Sequence, residues 1–312
     1  MAMLSLDVVL PTFNRASLLP KTLDSLISAE RPPELSITLW VVDNNSKDET
    51  EKVVRQYAEQ CPFPLHYLLE KQQGSSAALN AGIQAGSGDL IGMLNDDEEV
   101  DAGWFRAIYN FFSETTFDFA GGPYYPRWGA QKPDWIAKEF GGIVGWVDGG
   151  SQRQEYGAGF AGMLMGGNSI VRRSAFDRVG LFNTALGRFA KGLNACEDQD
   201  FYDRLLANKL RGMYLPELII YHYIPPERMT RHYHRRWCWG RGTSLGVLAR
   251  TRKPETVQIL GIPRWQIRHA LVGLARMAKG LLGLENSHAA FEGELRVWDL
   301  AGFINGRFLR RS

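Results

Sequence analysis

Along the first hundred residues the apolar positions switch between two periods. "LDVVLPTF" (6–13) is a short continuous apolar run, and the stretch from Ser17 to Ala29 behind it sets Leu18, Leu19, Leu23 and Leu26 on one helical face. "ITLWVVDNN", rich in branched residues, predicts a second strand, and Asp48 to Gln60 a second helix. "LHYLLE" reads as a third strand, "SSAALNAGIQA" as a third helix and "DLIGMLND" as a fourth strand. Strands alternating with helices predict parallel pairing through right-handed crossovers: an α/β fold with a mostly parallel sheet flanked by helices. In such sheets ligands bind beyond the carboxyl ends of the strands.

The polar residues gather at those ends. "PTFNR" (11–15) follows the first strand, "DNNSKDET" (43–50) the second, "EKQQGSSAALN" (70–80) leads into the third helix and "NDDEE" (95–99) ends the fourth strand. Each loop has an ordinary structural explanation, since Asn44, Asn45 and Ser46 suit turns and Asp48 suits an N-cap. Four in register point to a shared ligand. No GxxxxGK[ST] or GxGxxG follows the first strand, which argues against a Walker-type or dinucleotide cradle. Asp43 suits the donor edge of a base or a sugar hydroxyl. The acids behind the fourth strand suit a hard divalent cation, Mg2+ or Mn2+, which takes carboxylate, phosphate and water oxygens. A metal-bound diphosphate is the economical inference. Glu99 reads as a helix-start residue opposing the helix dipole, and Glu98 stays undecided.

A second acidic cluster lies in "NACEDQDFYDRLLANKL". Read as a helix opening near Glu197, it makes Asp200, Asp203 and Arg204 neighbours and sends Leu205 and Leu206 to the core. As residues alone, Glu197 and Asp198 also suit the first turn of any helix.

"VVLPTFNRASLLPKTLDSL", "LWVVDNNSKDET", "GSSAALNAGIQAGSGDLIGMLNDDEEV", "GGNSIVRRSAFDRVGLF" and "CEDQDFYDRLL" together resemble the family 2 glycosyltransferases of GT-A fold, over residues 7 to about 225. The resemblance implies a metal-dependent, inverting transfer of sugar from a nucleoside-diphosphate donor (UDP-, GDP- or dTDP-linked) to a hydroxyl acceptor, in glycan, exopolysaccharide or cell-surface polysaccharide assembly. It implies that Asp43 contacts the base, and that Pro11, Thr12, Asn14, Arg15, Asn45, Gly74, Asn80 and Asp96 line the nucleotide. The family's DxD element matches "NDD" at 95–97, with Asn95 where the first carboxylate usually stands, leaving Asp97 and Asp96 as metal ligands. Leu79 stands where many relatives carry Arg. Asp198 matches the general base of the family's "ED" pair, Glu197 orients the acceptor or supports the loop, and His222 matches a histidine used on metal or diphosphate. Trp128, Trp135, Gly167 and Asn168 fall on the acceptor side, in a Gly- and aromatic-rich stretch (121–169) where Trp146, Tyr124 and Tyr156 also offer faces for sugar rings. Residues 183–196 form a candidate lid over the donor sugar.

Composition changes the picture at the carboxyl end. Residues 1–221 carry 20 Lys and Arg against 28 Asp and Glu, whereas residues 222–312 carry 16 against 6. The expected division is a catalytic domain, 1–225, with a nucleotide-binding half to about residue 97 and an acceptor half beyond it, followed by a helical basic extension, 226–312. Arg228 and Arg236 are candidates for the departing diphosphate, while an anionic membrane surface also fits the basic tail. Pro263 to Gly283 is helical by pattern. It places Ile267, Ala270, Leu271, Leu274, Met277, Ala278 and Leu281 on one arc, the form of an interfacial membrane helix but also of a helix docked on its own domain. The amino terminus has no secretory pattern, no apolar run reaches the roughly 20 residues of a spanning helix, and Cys61, Cys196 and Cys238 show no CxxC spacing. The expectation is a cytoplasmic protein, at most peripheral on the inner membrane face, with a nucleotide sugar and a glycan or lipid-linked acceptor as partners and no nucleic acid. Two rivals are a sugar nucleotidyltransferase, which normally shows a Gly-rich basic loop after its first strand, and a non-catalytic nucleotide-sugar or nucleic-acid binding module.

Overall fold

Leu6, Val8, Val9 and Leu10 are buried almost completely because the strand that carries them, β1 (Leu4–Thr12), lies inside a sheet covered on both faces. A computed structural model describes residues 3–160, 162–186, 196–250 and 256–309. Two units divide the chain: Met1–Gly129 with Gly145–Ala190 and Glu197–Ile224, and Ala130–Val144 with Lys191–Cys196 and Pro225–Ser312.

In the first unit β1 is followed by α1 (Leu19–Ser28), β2 (Leu35–Asp43), α2 (Thr50–Gln60), β3 (Leu65–Leu69), α3 (Ser75–Ala85) and β4 (Leu90–Met93). The helix α3 occupies the span that its pattern predicts. Then come β5 (Glu98–Val100), α4 (Trp104–Glu114), β6 (Phe119–Gly121), β7 (Tyr124–Trp128), β8 (Gln154–Glu155), β9 (Ser169–Arg172), α6 (Arg173–Val179), α7 (Glu197–Ala207), β10 (Gly212–Tyr214) and β11 (Ile220–Ile224). The large sheet runs β3-β2-β1-β4-β9-β6-β10-β8, with β3 to β4 mutually parallel and β9 antiparallel to both its neighbours. This is the expected mostly parallel α/β sheet. A second sheet, β5-β11-β7, stands at the end of β4.

That small sheet overturns the reading of Glu99 as a helix-start residue. Glu99 lies mid-strand opposite Tyr221, and the helix begins only at Trp104. Its partner strand is over a hundred residues away, beyond the reach of local pattern. The one charge inside β1, Asp7, is buried yet well held: Arg173 Nη2 lies 2.6 Å from its Oδ2, and Trp40 and the Gly88 amide also donate to it. Such a pair survives burial because its remaining lone pairs are satisfied.

The second unit is helical: α5 (Gly141–Val144), α8 (Arg231–Leu248), α9 (Arg264–Leu281) and α10 (Ser287–Ile304), with a two-residue-strand hairpin of β12 (Gln258–Ile259) and β13 (Ile262–Pro263). Ala130–Val144 belongs to this unit because Trp135 and Phe140 pack edge-on against His234 and Phe291. Backbones of α8 and α10 nearly touch. A Cβ on Gly242 would stand 2.0 Å from the Asp299 carbonyl oxygen and one on Gly302 2.2 Å from that of Trp239. The arc expected for α9 docks only in part: Ala270 is buried together with Gln266 and Gly273, whereas Leu271, Leu274 and Leu281 are exposed. A Cβ on Gly273 would lie 2.4 Å from the Gly293 carbonyl oxygen, so the small-residue stripe seats the helix on α10 and turns the leucines outward.

His234 titrates abnormally for a clear reason. It is fully buried, its Nδ1 lies 3.0 Å from the Thr230 carbonyl oxygen, and its Nε2 has no hydrogen-bond partner among the described residues. Protonating Nε2 would bury an unpaired cation, so burial pulls the pKa down to about 4 from the usual 6.5. A depressed folded-state pKa means the unfolded chain binds the proton first; stability is fully present above about pH 6.5 and drains as pH falls towards 4. Between pH 7 and pH 5 this group alone removes about 2 kcal/mol. Urea unfolding of wild type and His234→Phe at both pH values should show a difference of that size in their pH dependence, and parallel behaviour would refute the assignment.

Candidate active site

Four loops meet at the carboxyl edge of β1 to β4, and hydrogen bonds zip them together. Asn14 and Asn45 take left-handed conformations, with φ of 53° and 66°. The Asn14 amide donates to Ser46 Oγ at 2.8 Å, and Asn14 Oδ1 accepts from the Lys47 amide at 2.7 Å. Asn44 ties the second loop to the third: its Oδ1 accepts from the Gly74 amide at 2.8 Å and its Nδ2 donates to the Gln72 carbonyl at 2.7 Å. Asp43 is buried, accepting from the Ser46 amide and the Tyr67 hydroxyl, each at 2.8 Å. Pro11 and Thr12 pair with Val42 and Asp43 at the strand ends. The asparagines therefore build the rim, and Asp43 is fixed at its centre.

The fourth loop carries the acids. Thr12 donates its hydroxyl to Asp96 Oδ2 at 2.7 Å, and the Arg15 charge acts on the same carboxyl. Burial, reinforced by the Asp97 charge, holds Asp96 above the usual carboxylate range despite both partners. Asp97 is anchored through its backbone, whose carbonyl accepts from the Tyr223 amide at 2.8 Å, and its Oδ1 lies 3.6 Å from His222 Nε2. His222 sits in the middle of β11, facing Glu98 across the small sheet. Gly145, with φ of 71°, makes room for the imidazole, since a Cβ there would stand 2.4 Å from Nδ1.

Glu98 is part of this group. It is 1% exposed and receives two hydrogen bonds from Asn95, one from the backbone amide and one from Nδ2, both at 2.8 Å. Burial lifts its pKa to about 7, with the His222 charge opposing the rise and the Asp97 charge adding to it. Sequence reasoning left Glu98 undecided; its three-residue spacing from Asn95 was the available signal.

Gly166 and Gly167 join the two acidic clusters. A Cβ on Gly166 would stand 2.4 Å from Asp198 Oδ1, and one on Gly167 2.2 Å from Glu98 Oε1 and 2.3 Å from Asn95 Nδ2. Consecutive backbone positions thus have the first turn of α7 against one and the acidic loop against the other. Glu197 accepts from Ser75 Oγ at 3.2 Å, which links it to the start of α3 behind Gly74. Arg204 pairs with Asp200 one turn on.

Other expected residues stand elsewhere. Asn80 holds the Phe182 backbone through both its side-chain atoms, at 2.9 Å each. Asn168 is fully buried and spent inside the protein: it accepts from Trp104 Nε1 at 2.9 Å and donates to the carbonyls of Pro123 and Leu218. That geometry corrects its assignment to sugar binding. Tyr124 is likewise buried, with its hydroxyl held protonated by burial and by the charges of Glu98 and Asp198. Trp128 meets Trp146 edge-on and both stay partly exposed. A cavity of about 500 Å³ opens in the same stretch, lined by Gly122, Val147, Gln154, Tyr156, Phe160 and Tyr214 among others. Trp135, Arg228 and Arg236 belong to the second unit. Most of the candidate lid, 187–195, lies outside the described residues.

The donor set fits a hard divalent cation in part. Asp97 and His222 offer an oxygen and a nitrogen beside two further carboxyls, Asp96 and Glu98, that burial holds above their normal pKa. Among the described residues no three such side chains converge on one point. Mg2+ and Mn2+ commonly take one or two protein ligands and complete their shell from phosphate and water.

An α/β sheet with its polar loops and paired acidic clusters at one edge has the GT-A fold of glycosyltransferases. The glycosyl transferase family 2 profile matches residues 7–180, and the chain belongs to that family. Glycosyltransferase AglE of Haloferax volcanii is 32% identical over 116 residues, which cover 37% of this chain and 38% of that protein. Succinoglycan biosynthesis protein ExoM of Rhizobium meliloti is 24% identical over 227 residues, 72% of this chain and 69% of the relative. The match spans only 12% of the minor teichoic acid biosynthesis protein GgaB of Bacillus subtilis. The mannosyltransferase PcManGT of Pyrobaculum calidifontis, solved with GDP-Man and Mn2+, shares the fold with a TM-score of 0.65 at 17% identity, over 98% of this chain and 88% of that one.

Asn168→Ala should destabilise the protein by about 3 kcal/mol, because one indole and two carbonyls lose their partner in the interior. Asn168→Asp keeps the acceptor but sets a charge against two carbonyl oxygens, and should do no better. Urea unfolding within 1 kcal/mol of wild type for both variants would show that these bonds carry little.

Proposed function

We propose that the protein transfers a sugar, with inversion, from a nucleoside-diphosphate donor to a hydroxyl group on a glycan or lipid-linked acceptor during polysaccharide assembly. The observation that carries this reading is the placement of Asp198 and of Glu98 with Asn95 against adjacent glycines, which brings a candidate base up to the candidate diphosphate site. The family match, relatives acting in succinoglycan and teichoic acid biosynthesis, and fold neighbours solved with GDP-Man or UDP-GlcNAc support it.

In this reading the rim of Pro11, Thr12, Asn14, Arg15, Asn45 and Gly74 surrounds the nucleotide, and Asp43 takes the donor edge of the base. Asp97, with His222 or Asp96 beside it, would hold a divalent ion that completes its shell from phosphate and water and whose charge would offset that of the departing diphosphate. Asp198 accepts the proton as the acceptor O–H bond breaks. The acceptor oxygen bonds to the anomeric carbon while the carbon–oxygen bond to diphosphate breaks, its electron pair leaving with the diphosphate. Attack from the opposite face inverts the anomeric centre. Glu197, held by Ser75, orients the acceptor side. The aromatic cavity at Tyr156 and Phe160, with Trp128 nearby in sequence, suits a sugar ring of the acceptor. Arg228, Arg236 and Trp135 lie in the second unit and form no part of this reading.

Thermal-shift measurements with UDP-, GDP- and dTDP-sugars, each with and without Mg2+ or Mn2+, test the donor. One donor class should stabilise the wild type only when metal is present, and Asp97→Ala should lose that metal-dependent increment. Asp198→Ala should keep the thermal shift and lose roughly 10²- to 10⁴-fold in turnover. Substantial transfer by Asp198→Ala would remove it as base, and unchanged metal dependence in Asp97→Ala would remove it as ligand.

A further inference from the structure

The helix α9 is packed on one side only. It runs 18 residues, about 27 Å, and rests on α10 through Gln266, Ala270 and Gly273. The rest of its surface is open to solvent: Leu271, 61% exposed, and Leu274 lie on one flank, and Val272 and Trp265 on the other. The helix ends on Leu281, 89% exposed, followed by Leu282 and Leu284. At its start the β12–β13 hairpin presents Val257, Ile259 and Leu260, the last 89% exposed at a turn where Leu260 and Gly261 both have positive φ. Gly261 stacks closely on Phe308, itself half exposed, so the apolar surface continues past the hairpin.

Charge separates the possible occupants of this face. The sequence of α9 contains no Asp or Glu. Acids of the neighbouring α10 are taken up inside the unit: Glu292 pairs with Arg276 and Arg296, Glu294 with Arg235, and Asp299 with Arg241. Arg264, Arg268 and Lys279 are exposed on the arc between these two flanks and have no carboxylate partner among the described residues. A second copy of the same surface would set these cations against each other. An anionic bilayer instead accepts the leucines below its headgroups and the cations at its phosphates. No described helix is long and apolar enough to cross a membrane, so the helix would lie in the interface plane.

We propose that the outer face of α9, with the hairpin at its start and Leu281 to Leu284 at its end, docks on an anionic lipid surface. This deepens the transferase reading by giving that reaction a place, and rests on it only for its purpose. The test is sedimentation of the full chain with phosphatidylcholine vesicles, with and without phosphatidylglycerol. Wild type should bind only the anionic vesicles, and less at high salt. Leu271→Glu with Leu274→Glu should abolish binding, and Arg268→Ala with Lys279→Ala should weaken it about 30-fold. All four positions are exposed, so circular dichroism should match wild type. Transfer from donor to a soluble acceptor without vesicles should be unchanged in every variant. Failure of wild type to bind anionic vesicles, or equal binding by the leucine variant, overturns the proposal while leaving the transferase reading intact. Dimerisation of the free protein that Leu271→Glu disperses would also overturn it, by assigning the face to a second copy. Absence of transfer with lipid binding preserved would sink only the transferase reading.

Discussion

Asp96, Asp97 and Glu98 are three consecutive acids drawn out of bulk water, and containing their repulsion governs the geometry around them. Two like charges about 4 Å apart repel by roughly 4 kcal/mol at the effective dielectric near a protein surface. The relief comes from separate elements. Thr12 and Arg15 at the end of β1 act on Asp96, the β11 backbone fixes Asp97, and His222 faces both Asp97 and Glu98. Asn95 gives Glu98 two donors. A carboxylate at 95, the more usual family residue, would remove the Nδ2 donor and add a fourth negative charge. The departure at Asn95 and the burial of Glu98 are therefore one feature: the amide makes the buried acid tolerable.

The alternation of strand and helix was readable because a two-residue and a 3.6-residue period are local properties. The span of α3 and the opening of α7 at Glu197 followed from pattern and first-turn acids. What escaped was set by distant partners. Nothing near Glu99 says that β11 will claim it as a strand residue. Asn168 sits in a glycine-rich stretch that reads as a ligand wall, yet Trp104 and two carbonyls, from three other parts of the chain, use all its polar atoms. The acidic loop and the "ED" pair were each legible, whereas their meeting at Gly166 and Gly167 required the structure.

The choice of packing face on α9 was not legible, for a different reason. A helical wheel identifies an apolar arc, but it does not say which face packs. Contact with α10 is decided by backbone proximity at Gly273 and Gly293, as contact between α8 and α10 is at Gly242 and Gly302. Close approach of two helix backbones gains dispersion contact along the whole crossing. It also leaves little room for large side chains in the seam. The leucines of α9 are excluded from the interface by the same geometry that makes it tight.

This has a consequence for the basic tail. Its excess of Lys and Arg over Asp and Glu does not spread evenly over the helices, because Arg235, Arg241, Arg276 and Arg296 are held by the acids of α10. Those four arginines close the bundle against three acids, Glu292, Glu294 and Asp299, which offset most of their charge. Arg264, Arg268 and Lys279 of α9 have no acid on their own helix to offset them, and the displaced leucines emerge on that same helix. Glycine packing and internal ion pairing thus act together: the first turns the leucines of α9 outward, and the second leaves Arg264, Arg268 and Lys279 unneutralised beside them. A random basic extension would not bring both kinds of group out on one helix.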